Sequence, residues 1–144
     1  MIFLEDKMQY TNVYTEKINC TSDEVEFYIF DFLKSLDKAG TKRKGNFFYS
    51  FNSLSDVGVM EIQLFQPAEK YIKIKDVTIS FMSYFYIDHM ISTLVLEDFK
   101  NIADKYCEVM GYMEEHGLIS ASNIYNEVHC MERQKYLILK IAVI

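Results

Sequence analysis

The segment NIYNEVH places one carboxylate, Glu127, between an aromatic and an imidazole side chain at alternating positions. Tyr125, Glu127 and His129 are two residues apart, so on a β-strand they share one face. A carboxylate beside tyrosine rings can neutralise a ligand cation, and the rings add cation–π attraction and contact area. The pattern predicts a binding site for a flat, hydrophobic molecule, cationic or not. The alternative interpretation is an exposed strand glutamate that keeps the sheet soluble.

Further aromatic side chains are candidates for the walls of the same site. Tyr84 and Tyr86 alternate along one predicted strand, Tyr136 lies on the last strand, and Phe48 is the counterpart of Tyr125 in an internal repeat. Together they favour a flat aromatic ligand, although each alone is typical of a half-buried sheet residue. The predicted ligand-binding residues are Glu127, Tyr125, Tyr84, Tyr86, Tyr136 and Phe48.

Patterns for catalysis or metal binding are weak in this chain. Cys130 follows His129, but adjacent residues of a strand point to opposite faces, so the two do not work together. No acidic pair or His/Cys spacing is typical of a metal site, and no glycine-rich loop is typical of phosphate binding. We therefore predict no catalytic residue, no metal and no cofactor. An acid–base role for Glu127 or Asp88 beside a tyrosine hydroxyl is the remaining enzymatic alternative.

An internal repeat supplies the elements that position these residues. Gly117 lies 77 positions after Gly40 (117 − 40 = 77), and this offset aligns residues 21–67 with 98–144 without a gap. The apolar phase is kept between the two copies, as expected for repeats that hold one architecture. We predict an α+β fold: a tandem βαββ duplication forming an antiparallel sheet with two helices packed on one face. Residues 1–144 then form a single domain with repeat units at about 1–67 and 77–144.

Capping and turn residues set the predicted element boundaries. Thr21-Ser22-Asp23-Glu24 is a capping box that begins a helix ending at about Lys38 before Gly40, and Asp98 caps a second helix of about 99–116 that ends before Gly117. Strands are predicted at about 8–20 (with a short one at 2–4), 46–52, 58–66, 77–88, 122–130 and 135–144. Residues 89–97 either extend a strand or form a loop. On the last strand Leu137, Leu139 and Ile141 oppose Tyr136, Ile138 and Lys140, and the aliphatic set is predicted to pack under a helix.

Composition excludes several functional classes. A net charge of −6, from 15 basic and 21 acidic side chains, argues against general nucleic-acid binding. Three cysteines without CxxC spacing predict reduced thiols, and Glu5 and Asp6 stand where a signal peptide carries its apolar run. No segment reaches the roughly 20 apolar residues of a membrane span. We expect a cytoplasmic protein, and its oligomeric state stays open.

Three motifs of the second half resemble the gyrase-inhibitor-like effector-binding superfamily, which includes the drug-sensing domains of multidrug-responsive regulators. They are the helix FKNIADKYCEVMGYMEEHGL, the strand NIYNEVH and the closing strand YLILKIAVI. The resemblance implies a stand-alone effector-binding domain. It also implies that Glu127 occupies the position of the acidic residue that meets cationic ligands in that superfamily.

Two functions follow from these observations. The first is a non-catalytic domain that binds a hydrophobic, aromatic or cationic small molecule. The alternative is a protein-interaction or inhibitor protein that acts through a sheet face with no small ligand, its exposed aromatic side chains serving as interface anchors. Deep burial of Glu127 beside a cavity favours the first, and a flat, filled sheet face favours the second.

Overall fold

The computed structural model describes residues 1–55, 57–96, 102–131 and 133–144, and its fold is α+β. Within these ranges there are six strands, two α-helices and a short 3₁₀ turn at Ser22–Glu24. The strands are β1 (Phe3–Cys20), β2 (Phe48–Leu54), β3 (Met60–Pro67), β4 (Ser80–Leu96), β5 (Tyr125–Met131) and β6 (Gln134–Ala142). The α-helices are α1 (Val25–Lys38) and α2 (Ile102–Glu115). No helix of the described residues is long and apolar enough to cross a membrane.

The chain divides into two compact units. Residues 1–8 and 86–144 form one, called the C-terminal unit, and residues 9–85 form the other, called the middle unit. In the middle unit the order of elements is strand, helix, strand, strand, and β4, α2, β5 and β6 follow the same order in the C-terminal unit. A tandem duplication as the origin of this order stays a prediction, as does the assignment of residues 1–144 to one domain.

In the middle unit, local signals of the sequence set both ends of the first helix. The Thr21 N–H donates a hydrogen bond to the Glu24 carboxylate at 2.9 Å, which is one half of the predicted capping box. A 3₁₀ turn precedes the α-helix, so α1 itself begins at Val25. Past its end, Gly40 has a φ of 84°, the left-handed conformation that glycine adopts without strain. Strand β3 pairs antiparallel with β1 and with β2, and Phe32 and Leu36 of α1 are buried in the core of this unit.

In the C-terminal unit, β6 is the central strand and pairs antiparallel with β4 and with β5. Strand β4 continues to Leu96, which decides the open question about residues 89–97 in favour of an extended strand up to that residue. After α2, Gly117 has a φ of 64°, as predicted for the residue that ends the helix. Asp98, the predicted cap of α2, lies outside the described residues.

Helix α2 covers one face of the C-terminal strands. Its side chains Val109 and Met113 are buried together with Ile91 and Ile141. A neighbouring cluster contains Tyr106 and Ile102 of α2 with Val95, Leu137, Leu139, Ile124 and Val128. The predicted packing of the aliphatic set of the last strand under a helix is therefore confirmed. Tyr136, Ile138 and Lys140 consequently lie on the opposite face of the same strands.

Near the amino terminus, the short strand predicted at 2–4 is not separate. It is part of β1, which runs without a break from Phe3 to Cys20. Glu5 and Asn12 within it have positive φ values of 58° and 55°. Left-handed residues re-aim a strand locally without ending it.

Candidate functional site

Strand register organises the face of the C-terminal unit opposite α2. It aligns three rows across β4, β6 and β5: Ser92–Lys140–Tyr125, Leu94–Ile138–Glu127 and Leu96–Tyr136–His129. The side chains on β5 are aromatic or titratable, whereas two of the three on β4 are leucines. The β5 side of the face is therefore polar and the β4 side is apolar. Such a face can bind the polar and apolar parts of an amphipathic molecule at different places.

A cavity of about 580 Å³ lies at the apolar end of this face. It is lined by Phe3, Leu4, Glu5, Asp6, Ser92, Leu94, Leu96, Tyr136 and Ile138. Small-molecule sites in proteins are typically about 300–1,000 Å³ and mostly apolar, with a few polar groups that fix orientation. This cavity has the same composition, because its walls are mainly aliphatic and aromatic and its polar groups are two carboxylates and the hydroxyls of Ser92 and Tyr136.

The cavity walls include apolar side chains that reach solvent. Phe3, Leu4 and Leu96 are all exposed, although exposed apolar residues in a group are uncommon on a monomeric protein surface unless they serve a binding function. Glu5, between two wall positions, has a positive φ of 58°, which is uncommon for a residue other than glycine. Local backbone strain of this kind concentrates at binding sites.

Next to the cavity, a buried charge network joins strands β5 and β6. Oε1 of Glu127 lies 3.1 Å from Nζ of Lys140 and 3.1 Å from Nε2 of His129. The side chains of Glu127 and Lys140 are only 4% and 9% exposed. The two residues are brought together by register, since Glu127 is opposite Ile138 and Lys140 lies two residues further along the same face. A buried carboxylate and ammonium paired in this way compensate each other's loss of hydration.

Asp6 connects this network to the cavity. Its Oδ1 lies 3.3 Å from Nζ of Lys140, and Lys140 also donates a hydrogen bond to the Lys7 carbonyl oxygen at 2.9 Å. Burial alone would raise the pKa of Asp6, but hydrogen bonds from Ser92 and the Lys7 N–H and the charge of Lys140 lower it below the ordinary value. Asp6 is therefore ionised at neutral pH, and it is also one of the residues that line the cavity.

Four of the six sequence-predicted site residues lie in the C-terminal unit. Tyr136 lines the cavity, and its ring stacks on His129 with centroids 5.1 Å apart. Glu127 is buried in the charge network and is not among the cavity-lining residues. Tyr125 is half-buried opposite Lys140, and burial raises the pKa of its hydroxyl. Tyr86 is exposed, with its hydroxyl 3.4 Å from Oδ2 of Asp88.

The other two predicted site residues, Phe48 and Tyr84, belong to the middle unit. Phe48 is completely buried, and its ring stacks between Phe65 at 4.6 Å and Tyr10 at 5.1 Å. Its surroundings are those of a core aromatic residue. Tyr84 is exposed, and its hydroxyl accepts a hydrogen bond from Nε2 of Gln9 at 3.2 Å.

Several residues of the site were missed in the sequence. The wall residues Phe3 and Leu4, the carboxylate of Asp6 and the partner role of Lys140 were not predicted, and neither was the apolar stretch of β4. One signal was available: Lys140 interrupts the apolar run YLILKIAVI on the same strand face as Tyr136. A charge in an otherwise apolar strand indicates a buried partner of opposite charge, and Glu127 on the preceding strand was a candidate.

Cys20, Cys107 and Cys130 are free thiols. Among the residues that the structure describes, no group of three or more His, Cys, Asp or Glu side chains is placed to hold a metal ion. Oε1 of Glu127 lies 3.1 Å from Nζ of Lys140 and 3.1 Å from Nε2 of His129, so its carboxylate stabilises the protein's own cation.

Comparison with known proteins gives one family and a set of related folds. The family described as "Domain of unknown function (DUF5085)" matches residues 9–144. Among curated proteins, no sequence matches this chain at a significant level.

Similar solved structures share the fold at low sequence identity. The chain is 9% identical to the C-terminal domain of EcmrR, with a TM-score of 0.73 and 99% of each chain covered. It is 8% identical to EcmrR in a complex with DNA, with a TM-score of 0.77, covering 99% of this chain and 57% of that chain. A hydrolase from Listeria innocua is 10% identical, with a TM-score of 0.55, covering 97% of this chain and 91% of that one.

These likenesses establish the fold alone. At the level of the fold the chain is similar to the EcmrR C-terminal domain, and the superfamily to which the sequence motifs point stays a prediction. The chain spans a little over half of the longer EcmrR chain, 57% of its length.

Proposed function

The chain belongs to the DUF5085 family, and we propose that its C-terminal unit is a non-catalytic receptor for a hydrophobic small molecule. The observation that carries this proposal is the cavity of about 580 Å³, with apolar walls that are open to solvent and carboxylates at one side. Its volume suits a drug-sized molecule. Burial of apolar ligand surface supplies the affinity, at about 25 cal/mol for each Å² removed from water.

Three wall residues give the ligand its shape requirements. Leu94 and Ile138 are neighbours across β4 and β6, and together they form an aliphatic floor. Tyr136 adds an aromatic ring, already stacked on His129, which favours a flat aromatic ligand that lies along it. The preferred ligand is therefore aromatic and largely apolar.

The proposal keeps the sequence-based site in a modified form. Tyr136 contacts the ligand directly, and Glu127 acts through Lys140, whereas ligand contacts of Tyr125, Tyr84, Tyr86 and Phe48 stay predictions.

We also propose that the chain is a member of the gyrase-inhibitor-like superfamily built by tandem βαββ duplication. The fold of the EcmrR C-terminal domain supports the superfamily assignment, and the equal order of elements in the two units supports the duplication.

A thermal-shift screen of hydrophobic aromatic compounds tests the function. A compound at about one hundred times its dissociation constant adds about 2.7 kcal/mol of stability, a shift of several degrees for a chain of this size. Leu96→Asp places a charge at the cavity and should abolish the shift. Ile119→Asp is the matched control, because Ile119 lies in the same unit, is similarly exposed (67% against 63%) and does not line the cavity.

The results separate the proposal from its alternatives. A shift that Leu96→Asp removes and Ile119→Asp retains supports binding in the cavity. Equal loss in both variants, or an undiminished shift in both, contradicts the cavity assignment. The absence of a shift with every compound contradicts the function itself.

A second candidate function is protein interaction through helix α1. Phe27 and Phe30 lie three residues apart on this helix and are 65% and 64% exposed. Paired exposed aromatic residues on a helix surface are typical anchors for a partner protein. If a partner is captured by the wild-type protein and lost by Phe27→Ser/Phe30→Ser, while no small molecule binds, this function replaces the first.

A further inference from the structure

A lysine ammonium stands between the cavity and the buried carboxylate of the site. Nζ of Lys140 lies 3.1 Å from Oε1 of Glu127, 3.3 Å from Oδ1 of Asp6 and 2.9 Å from the Lys7 carbonyl oxygen. An ammonium has three N–H donors, and three oxygen acceptors surround this one. The position is therefore a complete site for a positive charge, and a side chain of the protein fills it.

The carboxylates on the two sides of this ammonium belong to different parts of the site. Asp6 lines the cavity, whereas Glu127 is buried behind it on β5. Without a cation between them, two negative charges would be held near each other in a poorly hydrated place, which is unfavourable. Any cationic ligand head that approaches Asp6 from the cavity consequently competes with Lys140 for the same oxygens.

We propose that Lys140 is a built-in cation that occupies the charge-recognition position of the site, so that the protein prefers neutral hydrophobic ligands over cationic ones. This inference rests on the proposed ligand-binding function and adds the ligand class. It also gives Glu127 a defined role, since its carboxylate holds the Lys140 ammonium in place. Removal of the ammonium should convert the site into a receptor for hydrophobic cations.

Removal of the Lys140 ammonium by substitution tests its role in ligand preference. Lys140→Met keeps an unbranched apolar stem of similar length and removes the charge. Asp6 and Glu127 then lack their common ammonium partner, and a ligand cation that reaches the vacated position gains both carboxylates. In the double variant E127Q/K140M one of these carboxylates becomes a neutral amide, so the gain should be smaller.

The experiment compares two probes of equal shape and different charge. Benzyltrimethylammonium is the cation, and neopentylbenzene is its neutral carbon counterpart. Both are titrated into the wild-type protein, Lys140→Met and E127Q/K140M, and the readout is the ratio of the two affinities within each protein. The wild type should bind the neutral probe at least as tightly as the cation. In Lys140→Met the ratio should move toward the cation by about tenfold, and in the double variant by less.

Each outcome decides the inference. A wild-type protein that prefers the cation by about tenfold overturns it, as does a Lys140→Met variant whose ratio equals that of the wild type. If Lys140→Met does not fold, Asp6→Asn is used instead. This variant removes one of the two carboxylates beside the Lys140 ammonium, so the ratio of affinities should move further toward the neutral probe. A move toward the cation overturns the inference. If neither probe binds any of the proteins, the proposed function fails; if both bind with unchanged ratios, only the role of Lys140 fails.

Discussion

Replacement of Lys140 by methionine should destabilise the protein more than simultaneous loss of both members of its buried pair. With Lys140→Met, the Glu127 carboxylate, whose side chain is 4% exposed, loses its ammonium partner. Breaking a buried ion pair on one side costs roughly 3–5 kcal/mol. His129 Nε2 lies 3.1 Å from the same carboxylate oxygen and keeps one contact, so we expect the lower end, about 3 kcal/mol.

The double variant E127Q/K140M supplies the comparison. It leaves a neutral amide near His129 and a methionine in the lysine position. Asp6, whose side chain is 31% exposed, is then the carboxylate that loses the ammonium, and the expected loss is about 1–2 kcal/mol. The assay is urea unfolding followed by far-ultraviolet circular dichroism at neutral pH, with the free energy of unfolding extrapolated to water. A double variant that is less stable than Lys140→Met, or a single variant within about 1 kcal/mol of the wild type, would refute the reasoning from charge compensation.

Three further predictions concern groups whose surroundings are well defined. The pKa of Asp6 is lowered below its ordinary value of 3.8, so its ionised form stabilises the folded state. The difference in unfolding free energy between the wild type and Asp6→Asn should therefore be constant above about pH 5 and shrink as the pH falls through the folded-state pKa. Urea unfolding at several pH values measures this difference. Gly111 lies inside α2 with open space for a Cβ, so Gly111→Ala should raise the melting temperature by the equivalent of about 1 kcal/mol. Gly117 has a φ of 64°, so Gly117→Ala should lower the melting temperature by a similar amount. Changes of the same sign in both variants would contradict the assigned backbone conformations. Burial raises the pKa of Tyr106 to about 12. Tyr106→Phe removes the hydroxyl that donates to Oδ1 of the buried Asn126 at 2.9 Å, so it should cost about 1–3 kcal/mol in urea unfolding and remove the corresponding step from a tyrosine titration.

Local patterns of the sequence predicted the elements because their causes are local. The capping box at Thr21–Glu24 and the left-handed glycines at positions 40 and 117 depend on neighbouring residues alone. The alternation of Leu137, Leu139 and Ile141 against the other side of β6 depends only on strand geometry, and it correctly identified the side that packs on α2.

The cavity was not predictable in the same way, because its parts come from distant positions. Asp6 and Lys140 are 134 residues apart in the chain, and only the folded chain brings their side chains within 3.3 Å. Strand register likewise decides that Lys140 approaches Glu127. The alternation of side chains along each strand predicted the correct face for Lys140 and Glu127, but it gives no information about the register between the two strands.

Phe48 illustrates a different limit of sequence reasoning. As the repeat counterpart of Tyr125, it was predicted to be a wall residue, and the structure buries it completely in a stack of aromatic rings in the middle unit. A phenylalanine on a strand has no polar atom that distinguishes a ligand-facing ring from a core ring. Tyr136 lines the cavity, but a ligand contact of either residue stays a prediction.

The central claim is that the C-terminal unit binds a hydrophobic small molecule in its cavity, and methyl-labelled nuclear magnetic resonance tests it most directly. Titration with neopentylbenzene should shift the methyl resonances of Leu94, Leu96 and Ile138, which line the cavity, and leave those of Leu36 and Leu64 in the middle-unit core unchanged. Saturable shifts confined to the first group are the result that we predict. Unshifted cavity methyls at full solubility of the probe, or shifts centred on the middle unit, would contradict the claim.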